Sequence, residues 1–334
     1  MLGRSEHGGR SAETQSWPSD VRKSVGHGRM TRALGADQGP HRALISPAMS
    51  TDLSSEQRSR LFDPALLDGQ IALVTGGGSG LGRETALELA RCGARVVVCG
   101  RREQPLLDTA AACSRGLIEA HVCDIREEQQ VEAMVERALE RHGRIDLLVN
   151  NAGGQFLAPA ESITPKGFRT VMRLNVEGTW LVTHAVATKA MIPSGRGGKV
   201  FSVTLSPHNG MPGMAHSGAA RAAVENLMRT LSVEWARFGI RLLALAAGQF
   251  ETETLLSKYP AAIVQRIADT IPQGRMGSER ELAWLIAYLA SPAGDFFSGA
   301  VLTMDGARDN WLGRWPPAQA ADEHGTPLSE ERRR

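Results

Sequence analysis

Residues 75–82 read TGGGSGLG and join an apolar run, IALVT (71–75), to a segment with helical spacing that begins at Arg83. Gly76, Gly80 and Gly82 form the spacing G-x-x-x-G-x-G, with Ser79 and Leu81 between them. Glycine at these places permits a tight turn, close approach of backbone to a pyrophosphate, and contact between helix and strand. The helix start then turns free N–H groups and a positive dipole end toward the phosphates. A glycine-rich loop is a weak sign by itself. Set between a buried strand and a helix, at the first turn of the domain, it is a strong one. The next apolar run, RVVVC (95–99), ends in Gly100, Arg101 and Arg102. An Asp or Glu here would bond the ribose 2′-hydroxyl of NAD, whereas a guanidinium suits a 2′-phosphate. The expected cofactor is therefore NADPH, the other reading of the two arginines being solvated loop charges.

Other chemistry is poorly represented. Cys92, Cys99, Cys113 and Cys123 form no CxxC pair and no zinc-like arrangement with His, which predicts free thiols in a reducing cytoplasm. No HExxH occurs, so no metal is expected. A net charge of +2 over 334 residues gives no reason to expect a nucleic-acid partner. No apolar run reaches the length of a membrane span, and no secretory h-region opens the chain.

The elements that must position the loop are legible as alternation. IALVT (71–75), RVVVC (95–99), LIEAHVC (117–123), IDLLVN (145–150), KVFSVT (199–204), IRLLALA (240–246) and AVLTM (300–304) read as buried strands. Between them lie amphipathic helices, one carrying Val131, Met134, Val135, Ala138 and Leu139, another Val224, Leu227, Met228, Leu231 and Trp235. This pattern predicts an α/β chain: a single doubly wound Rossmann domain with a seven-stranded parallel sheet flanked by helices. Residues 61–306 would hold it. Residues 1–60, rich in Gly, Arg, Ser and Pro, are expected to be a disordered extension, with Met30 and Met49 inside it and Met49 a candidate start. A tail spans 307–334, in which Trp311 and Trp315 are expected to pack.

TGGGSGLG, CDI (123–125), NNAGG (150–154) and LNVEG (174–178), in this order, resemble the short-chain dehydrogenase/reductase family over roughly residues 65–306. The resemblance implies that Asp124, beside Ile125, bonds the adenine amine, and that Asn151, Ala152 and Gly153 line the adenine-ribose side. It also implies that Asn175 holds a helix kink and a water of the proton relay. Thr252 matches the threonine that bonds the nicotinamide amide, and Gly248 follows Ala247, which stands at proline's place.

The family's Ser and Tyr-x-x-x-Lys are replaced. In an ungapped alignment Thr204 stands for Ser, Ser217 for Tyr and Arg221 for Lys. HSGAARA (216–222), GGQFLAPAE (153–161) and DNW (309–311) resemble the peroxisomal trans-2-enoyl-CoA reductases and, more distantly, the 2,4-dienoyl-CoA reductases. The chain ends RRR without the peroxisomal tripeptide, so a cytoplasmic address is expected. The substitutions fit a double-bond reductase. A ketone's alkoxide needs an acid such as tyrosine, but a thioester enolate mainly needs hydrogen-bond donors. Thr204 and Ser217 could be those donors, and Arg221 could fork onto the ribose hydroxyls. The proton donor stays open. Tyr259 is either a donor or a packing residue of a lid, His208 and His216 are expected to be structural, and Tyr288 is expected in the core with Trp284 and Leu285. The leading expectation is NADPH-dependent reduction of trans-2-enoyl-CoA by a homotetramer. The alternatives are a 2,4-dienoyl-CoA reductase, a ketone or 3-oxoacyl reductase, and a cofactor-binding protein that has lost catalysis.

Overall fold

A computed structural model describes residues 58–206, 209–258 and 260–313. The expected extension up to residue 57, with Met30 and Met49, lies outside the described residues, as do His208, Tyr259, and Trp315 with the rest of the tail from 314.

Seven apolar runs become seven strands: β1 (Ile71–Thr75), β2 (Arg95–Gly100), β3 (Ile118–Val122), β4 (Leu147–Asn150), β5 (Gly198–Leu205), β6 (Ile240–Ala247) and β7 (Val301–Met304). They form one parallel sheet in the order β3-β2-β1-β4-β5-β6-β7. All five residues of β1 are buried, as a strand covered on both faces requires. The helices are α1 (Gly80–Arg91), α2 (Glu103–Ala111), α3 (Glu128–His142), α4 (Pro165–Met172), α5 (Gly178–Val186), the short α6 (Ile192–Ser194), α7 (Ala215–Glu234), α8 (Glu253–Lys258), α9 (Ala261–Asp269) and α10 (Glu279–Ala290). They divide the core into two halves. Leu89, Leu106, Leu282 and Ile286 pack with Val74 and Phe201 on one face of the sheet. Val135, Val186, Val224 and Met228 pack with Leu73 and Leu148 on the other.

The order of strands places the site. From β1 the chain winds outward to β3, then crosses back to lay β4 on the other side of β1. Loops leaving the carboxyl ends of β1 and β4 therefore diverge, and a crevice opens between them. Thr75 ties its two walls together. Its hydroxyl accepts hydrogen bonds from the backbone N–H of Asn151 and of Ala152, both at 3.0 Å.

Helix α10 corrects one expectation. It buries Leu282, Ala283, Ile286, Ala287 and Ala290, a stripe of period three to four. Tyr288 lies off that stripe, is 40% exposed, and meets Phe297 edge-on at 6.5 Å between ring centroids. The apolar spacing with Trp284 belongs to the outer flank of the helix, so Tyr288 is not a core residue. Both ends of α10 are held firmly. Glu281 accepts from the backbone N–H of Ser278 at 2.7 Å and pairs with Arg275 at 2.7 Å. The Arg275 guanidinium pulls the Glu281 carboxyl down to about 2. At the other end the buried Lys199 of β5 donates to the carbonyls of Leu289 (2.8 Å), Ala290 (3.0 Å) and Ser291 (2.6 Å). Those are the carbonyls a helix end leaves without intrahelical partners.

Candidate active site

The phosphate loop is built by close contacts only glycine allows. Gly76 and Gly80 have φ of 67° and 56°, in the left-handed region. A Cβ on Gly82 would lie 2.4 Å from the Gly76 carbonyl oxygen and 2.3 Å from Asn151 Nδ2. Gly82 therefore acts by letting α1 sit directly on the loop, and Asn151 Nδ2 donates to the carbonyls of Thr75 (3.1 Å) and Gly76 (3.3 Å). Ser79 precedes α1 in an extended conformation and its side chain caps no amide. The amides of the first turn are thus left for an anion.

A cleft of about 550 Å³ runs from this loop across the sheet. Gly76, Ser79, Gly80, Leu81, Arg101, Arg102, Asp124, Ile125, Asn151, Ala152, Gly153, Arg221, Gly248 and Thr252 all line it. Of the residues expected to hold the cofactor only Gly82 lies beneath rather than on its wall. Arg101 and Arg102 are exposed where β2 ends, and the first acid along the chain, Glu103, already belongs to α2. Asp124 is partly engaged already. Arg126 forks onto its carboxylate, with Nε to Oδ1 at 2.9 Å, and this ion pair holds the carboxyl below its ordinary range.

The three substituted positions come together on β5 and α7. Thr204 lines the cleft, but its hydroxyl donates to Oε1 of the buried Glu225 at 2.9 Å. A hydroxyl has a single proton, so Thr204 in this arrangement is not a donor toward substrate. Ser217 is fully buried and off the cleft wall, and its hydroxyl donates to Gln155 Oε1 at 2.8 Å. It too is not a direct donor. Both expectations change for the same reason: a neighbouring oxygen claims the proton. Gln155, which sequence reasoning passed over within GGQF, lines the cleft, and with its oxygen engaged its amide N–H groups remain to bond a ligand. Ser206, also passed over, is 1% exposed with an unpartnered hydroxyl at the end of β5. Only the spacing of two from Thr204 along a strand could have pointed to Ser206.

Arg221 is buried against Gly153. Its Nη1 donates to the Val203 carbonyl at 2.9 Å and its Nε has no partner. Burial pushes the guanidinium down to about 10, which leaves it charged at neutral pH. A Cβ on Gly153 would meet Arg221 Nη2 at 2.6 Å and Asn175 Oδ1 at 2.7 Å. Asn175 does sit in a kink, the π-turn Arg173–Glu177, where Nδ2 donates to the carbonyls of Gly154 and Val171, both at 2.8 Å. His216, beside Ser217, is buried edge-on to Phe156 at 4.2 Å with neither ring nitrogen bonded, and lies off the cleft wall. Among the described residues no group of His, Cys, Asp or Glu could hold a metal ion. The cradle, the free amides of α1 and the unsatisfied buried guanidinium together fit a dinucleotide of the NAD(P) type.

Known proteins agree with this architecture. A family model described as enoyl-(acyl carrier protein) reductase matches residues 76–307. A probable 2,4-dienoyl-CoA reductase of Bacillus subtilis is 33% identical over 258 residues, 75% of this chain and 100% of that protein. A peroxisomal 2,4-dienoyl-CoA reductase of Arabidopsis thaliana is 34% identical, over 76% of this chain and 88% of its own length. Among solved structures, a citronellol catabolism dehydrogenase (AtuB) of Pseudomonas aeruginosa PAO1 superposes with a TM-score of 0.67. It is 43% identical, and the match covers 75% of this chain and 98% of that one. The cytoplasmic address expected from the cysteines and the last three residues does not stand, because several similar relatives carry peroxisomal names. Free cysteines are expected in any reducing compartment, so they do not tell one such compartment from another. By the matched model, the relatives and the cleft itself, the chain belongs to the short-chain dehydrogenase/reductase family.

Proposed function

We propose that the chain is an NADPH-dependent reductase of 2,4-dienoyl-CoA thioesters. This replaces the monoenoyl substrate as leading reading, because the similar relatives carry dienoyl-CoA reductase names. The observation that carries the chemistry is the place of Tyr-x-x-x-Lys, filled by a buried serine bonded to glutamine and by a buried arginine. No phenol stands there to protonate an alkoxide. A conjugated thioester avoids that need, since its charge spreads along the chain to the thioester oxygen.

A nicotinamide held in the cleft would supply hydride chemistry, with the far carbon of the diene as acceptor. The chain's own residues then manage the charge. The Gln155 amide, held by Ser217 and lining the cleft, is assigned as the donor to the thioester oxygen. Arg221 keeps a fixed positive charge behind Gly153, where negative charge develops. Glu225 holds the Thr204 hydroxyl in place and so shapes the wall beside the reacting carbons. A proton taken from water at the α-carbon would complete a 3-enoyl thioester and leave hydroxide to the solvent. Arg101 and Arg102 favour a 2′-phosphate, hence NADPH.

A second reading follows from the 43% identity to the citronellol catabolism dehydrogenase: redox chemistry on an acyclic terpenoid alcohol. The missing phenol weighs against it. NADPH oxidation with 2,4-hexadienoyl-CoA, crotonyl-CoA and acetoacetyl-CoA, and NADP⁺ reduction with citronellol, separate the readings. The dienoyl thioester should outrun the ketone by about 100-fold or more, the worth of a matched general acid. A ketone or alcohol turned over as fast as the diene overturns the proposal.

A further inference from the structure

Beside the cofactor cleft lie two sulfurs that the proposed reaction does not use. In the parallel pairing of β2 with β3, Cys99 stands opposite His121, so Cys123 comes two residues later on the same face. Both belong to one buried cluster with Leu73 and Val97. The Cys99 thiol hydrogen-bonds the Cys123 sulfur. That bond draws Cys123 below the ordinary thiol range, while the same bond and burial together raise Cys99. Each cysteine also adjoins the place of the cofactor. Cys123 lines the cleft, next to Gly100, Arg101 and Asp124. The Cys99 carbonyl accepts from the N–H of Gly76 at 2.7 Å and of Gly77 at 3.3 Å, at the turn of the phosphate loop. The other two cysteines differ. Cys92 is pushed up to about 12 by burial, and Cys113 follows α2 at the partly exposed surface.

We propose that Cys99 and Cys123 are a peroxide-sensitive pair whose disulfide and the bound dinucleotide exclude each other. The inference goes beyond the proposed reaction and needs only a dinucleotide in the cleft. Peroxide reaches Cys123 through the cleft, and a cofactor lying there closes that route. The Cys123 thiolate attacks one peroxide oxygen; the O–O bond breaks, and the leaving hydroxide takes up a proton to become water. The Cys99 sulfur then attacks the sulfenic acid. An S–S bond forms as the S–O bond breaks, and a second water carries off the Cys99 proton. Two thiols are oxidised and one peroxide is reduced to two waters. Closure has a geometric consequence. Residues so placed on a regular parallel pair sit about 8 Å apart at Cα, whereas a disulfide spans at most about 6.8 Å. The end of β3 must therefore move toward β2 by on the order of 1 Å. That shift carries Asp124 with it and pulls on the carbonyl that holds the phosphate loop.

The test treats the protein with hydrogen peroxide, caps the remaining thiols with iodoacetamide and maps the peptides by mass spectrometry. Trypsin puts the four cysteines on four separate peptides, so each can be followed. A linked pair carrying Cys99 and Cys123 is expected. The dinucleotide arm uses NADP⁺ or NAD⁺, whichever binds the reduced protein more tightly. Saturation with it should slow the link about tenfold or more, a coupling of ordinary size between two sites. The linked protein should bind it about tenfold more weakly, with affinity restored by dithiothreitol. Two variants read the order of attack with dimedone, which traps sulfenic acids. Cys123 should take up dimedone in Cys99→Ala, and Cys99 should not in Cys123→Ala. Dimedone on Cys99 instead overturns the assigned roles. Oxidation of Cys113 without the link, a link formed equally fast under saturating dinucleotide, or full affinity in the linked protein overturns the proposal. These wild-type outcomes decide it even where a variant fails to fold, and none of them bears on which thioester is reduced.

Discussion

Arg221 shows how a single residue can be placed for a ligand at the expense of the fold. Its guanidinium is buried, bonds one carbonyl and leaves Nε unsatisfied. A buried charge with so few partners destabilises the protein alone. Arg221→Met is therefore expected to leave the cofactor-free melting temperature unchanged or raise it by a few degrees, while weakening NADPH tenfold or more. Thermal melts with and without NADPH measure both halves, and a large fall in the cofactor-free melting temperature would refute the reading. Arg101 carries the complementary expectation for selectivity. Arg101→Asp should cost NADPH on the order of 1.5–3 kcal/mol and NADH far less, measured by titration of both. Equal affinity of the wild type for the two would defeat it. At this scale the sequence was informative about position and misleading about role. Thr204, Ser217 and Arg221 could be aligned by spacing, but which oxygen receives each hydroxyl proton depends on Glu225 and Gln155. Those partners lie 21 and 62 residues away along the chain, and no local pattern marks them.

Elements were easier to read than side chains. A strand buried on both faces is a continuous apolar run, so β1 and β6 announce themselves: β1 has the expected ends and β6 runs one residue further. The tuck of α4 into α5 was harder, because a π-turn has no period of its own; only the resemblance flagged Asn175. Helix α10 supplies a pH prediction. Glu281 is pulled down to about 2 by Arg275 while also capping the helix. A carboxyl depressed on folding adds stability above its ordinary value of 4.5 and loses it as pH falls toward about 2. Glu281→Gln should therefore cost about 1 kcal/mol near neutrality, and the gap from wild type should close across that acidic window. Melting curves from pH 7 downward follow it. A gap that persists at the acid end would mean that shape rather than charge holds the cap.

Across the whole molecule, contacts far apart in sequence decide cohesion. The bonds of Lys199 to Leu289, Ala290 and Ser291 span 90 to 92 residues, and its Nζ lies 2.8 Å from Asp295 Oδ1. Lys199→Met removes a buried cation from four oxygen partners, and a loss of about 3 kcal/mol is expected, read from urea denaturation. A change under about 1 kcal/mol would make the cluster a surface ion pair in effect. Its linkage has a further consequence in time rather than in equilibrium. The last turn of a helix ordinarily frays, and its amides trade hydrogen for deuterium through small local openings. In α10 that turn is riveted to a central strand, so opening it means prising β5 loose as well. Amides near Ala290 should then exchange only when the entire domain unfolds, at the slow rate of the sheet. The helix most remote in sequence from the chain's first strand would keep the same clock as its core.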